Sequence, residues 1–195
     1  MLDQILKFID FLHRFRAVER RNLVRGQNRN ENDVEHSFSL ALLAWYVNDT
    51  YDLKLNTEKI LKYALTHDLV ETYTGDTFFY DQTKNIGINK EKLEAEALLK
   101  IKKDFAEFSN LSEMIMQYQQ RSDKESRFIY ALDKLEPILN IYLDGGRNWR
   151  KDNITLDMIV TKKTPKVVLN DTVKQIFDEL VERLKAEEKD LFGNN

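Results

Sequence analysis

The chain of 195 residues contains no cysteine. That excludes disulfides, a thiolate zinc site and a cysteine nucleophile. Proline and glycine are scarce, at two and six, which leaves little room for a turn-dense β fold or a long disordered linker. No apolar run approaches the ~18 residues that a membrane-spanning helix requires. Asp3, Lys7 and Asp10 interrupt the N-terminal apolar pattern, unlike the core of a signal peptide. A basic balance is missing too: the formal net charge is −3, whereas a nucleic-acid-binding domain is expected to be strongly basic. The expectation is a soluble cytoplasmic protein that binds neither nucleic acid nor membrane.

What is present is helical periodicity, with 42% hydrophobic residues to build a core. Leu2, Ile5, Leu6, Ile9 and Leu12 mark a first helix. Asn32 or Asp33 can cap a second, on which Val34, Phe38, Ala41 and Trp45 trace one apolar line. A parallel line reads His36, Leu40, Leu43, Val47. Thr57 can cap a third helix that runs through Ile60, Leu61, Ala64 and Leu65 to His67 and Asp68 and stops at Gly75. A charged amphipathic helix follows through Leu93, Ala97, Ile101 and Phe105, then one from Leu111 to about Gln120. Another runs from a Ser122 cap to about Leu143, "GGRNW" reads as a turn, and Asn170 or Asp171 caps the last helix. The fold class expected is all-α, a single domain.

Polar residues on the apolar lines are the informative ones. His13 lacks companions and reads as a packing or surface residue. His36 alone could satisfy itself with a backbone carbonyl. Asp68 is harder to explain, because it falls four residues after Ala64, on the packed face. A buried carboxylate must be protonated, paired or bound to metal. Glu71 lies four residues from His67 and three from Asp68, so it shares their face. Two acids and an imidazole at one spot favour a divalent cation. In "RFIYALDKLEPILNIY" Asp133 stands among buried positions, with Pro137 four residues later predicting a bend there. Arg14, Arg16, Arg20, Arg21, Arg25 and Arg29 crowd one stretch, and their forks suit phosphate or carboxylate.

The quoted segments "VEHSFSLALLAW", "ALTHDLVETYTGD" and "FIYALDKLEPIL" together make the pattern H…HD…D. This resembles the HD-domain superfamily of metal-dependent phosphohydrolases, most closely the group that includes the YfbR-like 5'-deoxynucleotidases. The likeness runs on to "GGRNWRKDNIT" and covers nearly the whole chain. It implies a single HD-type helical bundle over 1–195, with a metal-binding core at about 15–145 and a C-terminal helical extension at about 150–192.

By the same resemblance, His36, His67, Asp68 and Asp133 hold one divalent ion, whether Mn, Co, Fe, Ni, Zn or Mg. Glu71 would serve the attacking water, Arg21 would orient the phosphate, and Asp76 would touch the sugar. Asn22 stands where similar enzymes carry a tryptophan, and Thr77, Phe78 and Phe79 follow where those enzymes have a proline-containing stretch. Phe78 and Phe79 can supply the aromatic surface instead. The activity implied is removal of phosphate from (deoxy)nucleoside 5'-monophosphates. Two-iron oxygenases and cyclic-dinucleotide hydrolases of the superfamily need further histidines that this chain lacks. A dNTP triphosphohydrolase, or a non-catalytic nucleotide-binding or regulatory module, are the competing readings. The partner expected is a small nucleotide, with a homodimer left open.

Overall fold

The computed structural model describes residues 1–76 and 86–193. Helix α1 (Leu2–Arg16) leads into a hairpin of strands β1 (Glu19–Leu23) and β2 (Asn30–Asn32). Then come α2 (Asp33–Thr50), α3 (Thr57–Thr66) and the short α4 (Glu71–Thr74). After the undescribed stretch follow α5 (Ile86–Asp104), α6 (Ser109–Gln120) and α7 (Lys124–Leu143). The chain closes with α8 (Arg147–Asp152), α9 (Leu156–Val167), α10 (Asp171–Ala186) and α11 (Glu188–Phe192). The class is all-α, and the hairpin is the sole sheet among the described residues.

Side-chain caps decide where the helices that carry the site begin. Asn32 Oδ1 accepts the amides of Val34 and Glu35, at 3.1 and 3.0 Å, while Glu35 Oε2 accepts the amide of Asn32. This reciprocal capping box fixes the first turn of α2, on which His36 sits. Asp123, rather than Ser122, caps α7 and accepts from Ser126 N at 2.7 Å. Asn56, rather than Thr57, caps α3. Asn170 caps α10 as expected.

Helix α7 is the axis of the larger core: Phe128, Ile129, Leu132 and Leu135 are fully or almost fully buried against α2, α3, α9 and α10. Pro137 lies inside this helix without ending it. A second cluster joins Phe11 and Phe15 of α1 to Leu69, Val70, Ile101, Phe105 and Ile115. Gly146 (φ +73°) begins α8 where a side chain would collide with the Leu191 carbonyl, so α11 can lie against that turn. "GGRNW" is thus a turn followed at once by a helix.

Three expectations are corrected. The third helix ends at Thr66, and His67 is its C-cap, so His67 and Asp68 stand in a turn between α3 and α4. The arginine-rich stretch is divided: Arg14 and Arg16 close α1, Arg20 and Arg21 lie on β1, and Arg25 and Arg29 lie between the strands. On α2 the buried line is His36, Leu40, Ala44, Val47, whereas Val34, Phe38 and Trp45 face outward. Leu2, Ile5, Leu6 and Ile9 of α1 face outward likewise.

Candidate metal centre and its cavity

Three elements bring the polar residues together. The first turn of α2 supplies His36, the turn after α3 supplies His67 and Asp68, and the middle of α7 supplies Asp133. Ligand atoms of His36, His67 and Asp133 all lie within 4.8 Å of one another, and all three residues are buried. His36 Nε2 is 3.1 Å from Asp133 Oδ1, and His67 Nε2 is 3.7 Å from the same oxygen. Asp68 joins through His67, with Oδ2 at 3.0 Å from Nε2.

Each group is held from behind. His67 Nδ1–H donates to the Ala64 carbonyl at 2.9 Å. Asp133 Oδ2 accepts from Tyr118 Oη at 3.2 Å and pairs with Lys134 Nζ at 2.5 Å. Burial opposes the charged form of His36, but the carboxylates of Glu136 and Asp133 more than offset it and push the ring up to about 9. His67 goes up to about 10: burial again opposes, and Asp68 and Asp133 prevail. Asp133 is held well below the usual carboxylate range, because Lys134 and His36 outweigh its desolvation.

The donor set fits a divalent ion. His67 Nε2 is buried and makes no hydrogen bond, although Asp68 Oδ2 stands only 3.0 Å away. A buried ring nitrogen beside two carboxylates is a donor arrangement that a cation would complete. Two imidazoles and two carboxylates are ligands common to the first-row metals and Mg.

Beside the histidines lies a carboxylate group of Asp33, Asp68 and Glu71, whose oxygens also come within 4.8 Å of one another. Glu71 opens α4 and is buried, with its amide bonded to the Asp68 carbonyl at 2.8 Å. Arg20, from β1, is one of the arginines the sequence grouped together but did not single out for the site. Its Nη1 lies 3.0 Å from Asp68 Oδ2 and 3.1 Å from Asp33 Oδ1, and its Nε lies 3.6 Å from Glu31. Burial and the neighbouring Asp68 push Asp33 up to about 6, with Arg20 pulling the other way.

These groups border a cavity of about 730 Å³. Arg21 and Asn22 of β1 line it, as does Asp76 after Gly75. Arg21 pairs with Asp152 of α8, Nη2 to Oδ1 at 2.7 Å and Nε to both oxygens. Thr77, Phe78 and Phe79 lie outside the described residues. Lys134, Lys163 and Lys166 line another part of the wall. Burial, with Lys134 close by, pulls Lys163 down to about 7. No sequence pattern singled out Lys163, because its place depends on how α9 packs on α7.

The family model for the HD domain matches residues 12–176, most of the chain, a span that includes His36, His67, Asp68 and Asp133. The chain belongs to the HD-domain family of metal-dependent phosphohydrolases. Relatives similar in sequence are named as 5'-deoxynucleotidases. One, from Schizosaccharomyces pombe, is 26% identical over 145 residues, covering 71% of either chain. Another, from Homo sapiens, is 28% identical over 138 residues, covering 69% of this chain and 65% of that one. Among solved structures, a predicted metal-dependent phosphohydrolase from Magnetospirillum magnetotacticum superposes with a TM-score of 0.83 at 24% identity, over 96% of this chain and 94% of that one. The PH0347 protein of Pyrococcus horikoshii gives 0.63 at 22%, over 95% and 99%. Both structures share the HD-domain fold.

Proposed function

We propose that this protein hydrolyses (deoxy)nucleoside 5'-monophosphates to nucleoside and phosphate. The observation that carries the reading is the clustering of His36, His67 and Asp133, with Asp68 beside them, where His67, Asp68 and Asp133 border a cavity also lined by Arg20 and Arg21. The names of the two 5'-deoxynucleotidase relatives support the substrate class.

His36, His67, Asp68 and Asp133 would hold one divalent ion, which supplies Lewis acidity toward a phosphate oxygen and a lowered pKa for water. Glu71 is buried against Asp68 without being needed as a ligand. It accepts the proton of the attacking water, a role worth roughly 10²–10⁴-fold in rate. Arg21 turns its fork from Asp152 to the phosphate, and Arg20 keeps positive charge beside Asp68. In the same proposal Asp76 and Asn22, which line the cavity, would meet the nucleoside, and Thr77, Phe78 and Phe79 belong to the substrate-binding set only by the sequence resemblance.

The proposal extends to the quaternary state. Leu2, Ile5, Leu6 and Ile9 of α1, and Val34, Phe38, Leu42, Trp45 and Tyr46 of α2, each leave a third or more of their surface exposed. At roughly 100 Å² apiece they offer ~900 Å², close to the ~800 Å² each partner gives to a standard interface. A second copy of the chain, meeting the same face about a two-fold axis, is the occupant this area supports. The setting proposed is the cytoplasm.

Screening metal-loaded protein against ribo- and deoxynucleoside 5'-monophosphates tests the function. Phosphate release from at least one is expected. Binding of nucleotides without release would favour the non-catalytic module instead.

A further inference from the structure

Glu136 is buried, and a buried carboxylate persists only with partners. Its Oε2 accepts from His36 Nδ1 at 3.1 Å, and its Oε1 accepts from Asn140 Nδ2 at 2.6 Å. Asp133, Glu136 and Asn140 follow one another at i, i+3 and i+7, so one face of α7 presents all three. The same imidazole is thereby bracketed. Asp133 meets Nε2 at 3.1 Å and Glu136 meets Nδ1 at 3.1 Å, both carboxylates coming from a helix that does not carry the ring.

We propose that Glu136 is a positioning residue of the metal centre, holding the Nδ1–H of His36 so that Nε2 and its lone pair face the ion. Asn140 completes the device by fixing the Glu136 carboxylate one turn further along. The inference rests on the reading of His36 as a metal ligand.

Without such an acceptor a neutral imidazole is free to carry its proton on Nε2, the tautomer that cannot bind an ion through that atom. The ring could also turn about its χ2 bond and lose its aim. His67 solves the same problem with the Ala64 carbonyl, a backbone group that substitution does not remove. The two ligands therefore differ in a way an experiment can exploit, because only the His36 support is a side chain. Outer partners of this kind typically contribute about 10–100-fold in metal affinity or activity.

The test measures the affinity of the metal-free, folded full-length chain for Co²⁺ by chelator competition, together with the visible spectrum of the Co²⁺ form. Glu136→Ala is expected to bind about 10–100-fold more weakly and with an altered spectrum. Glu136→Gln, which keeps an acceptor oxygen near Nδ1, is expected to restore most of the affinity and the native spectrum. Should Glu136→Ala fail to fold, Glu136→Asp takes its place: it keeps the charge but withdraws the acceptor by one methylene. An affinity loss comparable to that expected for Glu136→Ala supports the proposal. A folded Ala or Asp variant that binds Co²⁺ as tightly as the wild type overturns it. A wild type that takes up no ion is a separate result, which removes the metal reading itself.

Discussion

The guanidinium of Arg20 stands 3.0 Å from the carboxylate of Asp68, a residue 48 positions later in the chain. It stands equally close to Asp33, whose side chain is wholly buried. Arg20 thus keeps the buried Asp33 and the partly buried Asp68 from facing each other uncompensated, and it links the hairpin to the turn that carries the HD pair. Removing one partner of such a buried pair generally costs about 3–5 kcal/mol. Arg20→Ala should therefore lower the stability of the metal-free protein by about 3 kcal/mol in denaturant unfolding, and Arg20→Lys by less. A loss under ~1 kcal/mol would place the pair in the class of weak surface bridges instead.

The histidines predict a pH dependence for metal uptake. In the metal-free protein His36 and His67 titrate at about 9 and about 10, so both rings are protonated at neutral pH. A metal takes neutral imidazole, so uptake must release those protons. Apparent affinity should rise with pH across the neutral and mildly alkaline range, and calorimetry in buffers of different ionisation enthalpy should show net proton release at pH 7. The sign for stability follows from the same shifts. Both folded values lie above the unfolded value of about 6.5, so this contribution is complete below that pH and is lost as pH rises through 9 to 10. Affinity that does not change between pH 6 and 9 would contradict this.

Much of this architecture was legible in the sequence, and for identifiable reasons. Asn32 followed by Glu35 is a two-residue signal for a helix start, and it predicts the first turn that carries His36. The burial of Asp133 could be read from its neighbours Ala131 and Leu132 on α7. Other features depend on tertiary packing. Periodicity finds an apolar line but does not say what covers it, so the line through Phe38 and Trp45 was indistinguishable from the core line through Leu40 and Val47. Strands with the sequences ERRNL and NEN carry no apolar alternation, and the hairpin that aims Arg20 inward was not predictable from pattern. Arg20 and Arg21 are adjacent on a strand and both border the cavity, yet Arg20 meets Asp68 and Arg21 meets Asp152. Which of them meets Asp68 is a matter of register.

Arg21 gives a prediction that separates it from its neighbour. A charge-assisted hydrogen bond to phosphate contributes about 1.5–3 kcal/mol, or about 10–100-fold in rate. Arg21→Ala should lower kcat/KM for the monophosphate by that factor, and because it also takes a partner from the buried Asp152 carboxylate the comparison is made on a variant shown to be folded. A change within about twofold would remove Arg21 from the phosphate site.

The outward apolar faces of α1 and α2 predict self-association. Light scattering coupled to gel filtration should give a dimer, and a double substitution of Phe38→Ser with Trp45→Glu should shift it to monomer, because each change places polarity on a face already open to solvent. A wild type that stays monomeric at micromolar concentration would contradict the assignment of a second copy to this face.

Glu71 gives the most direct test of the central claim, that a metal-dependent site in this chain hydrolyses nucleoside monophosphates through water activated by a carboxylate. The measurement is turnover of a 5'-monophosphate by Mn-loaded wild type and Glu71→Gln, with bound metal quantified in both samples. The account predicts equal metal content and a loss of at least ~10²-fold in kcat for the variant, as expected for a general base. Full activity in Glu71→Gln would contradict the mechanism, and no turnover of any monophosphate by metal-loaded wild type would contradict the function.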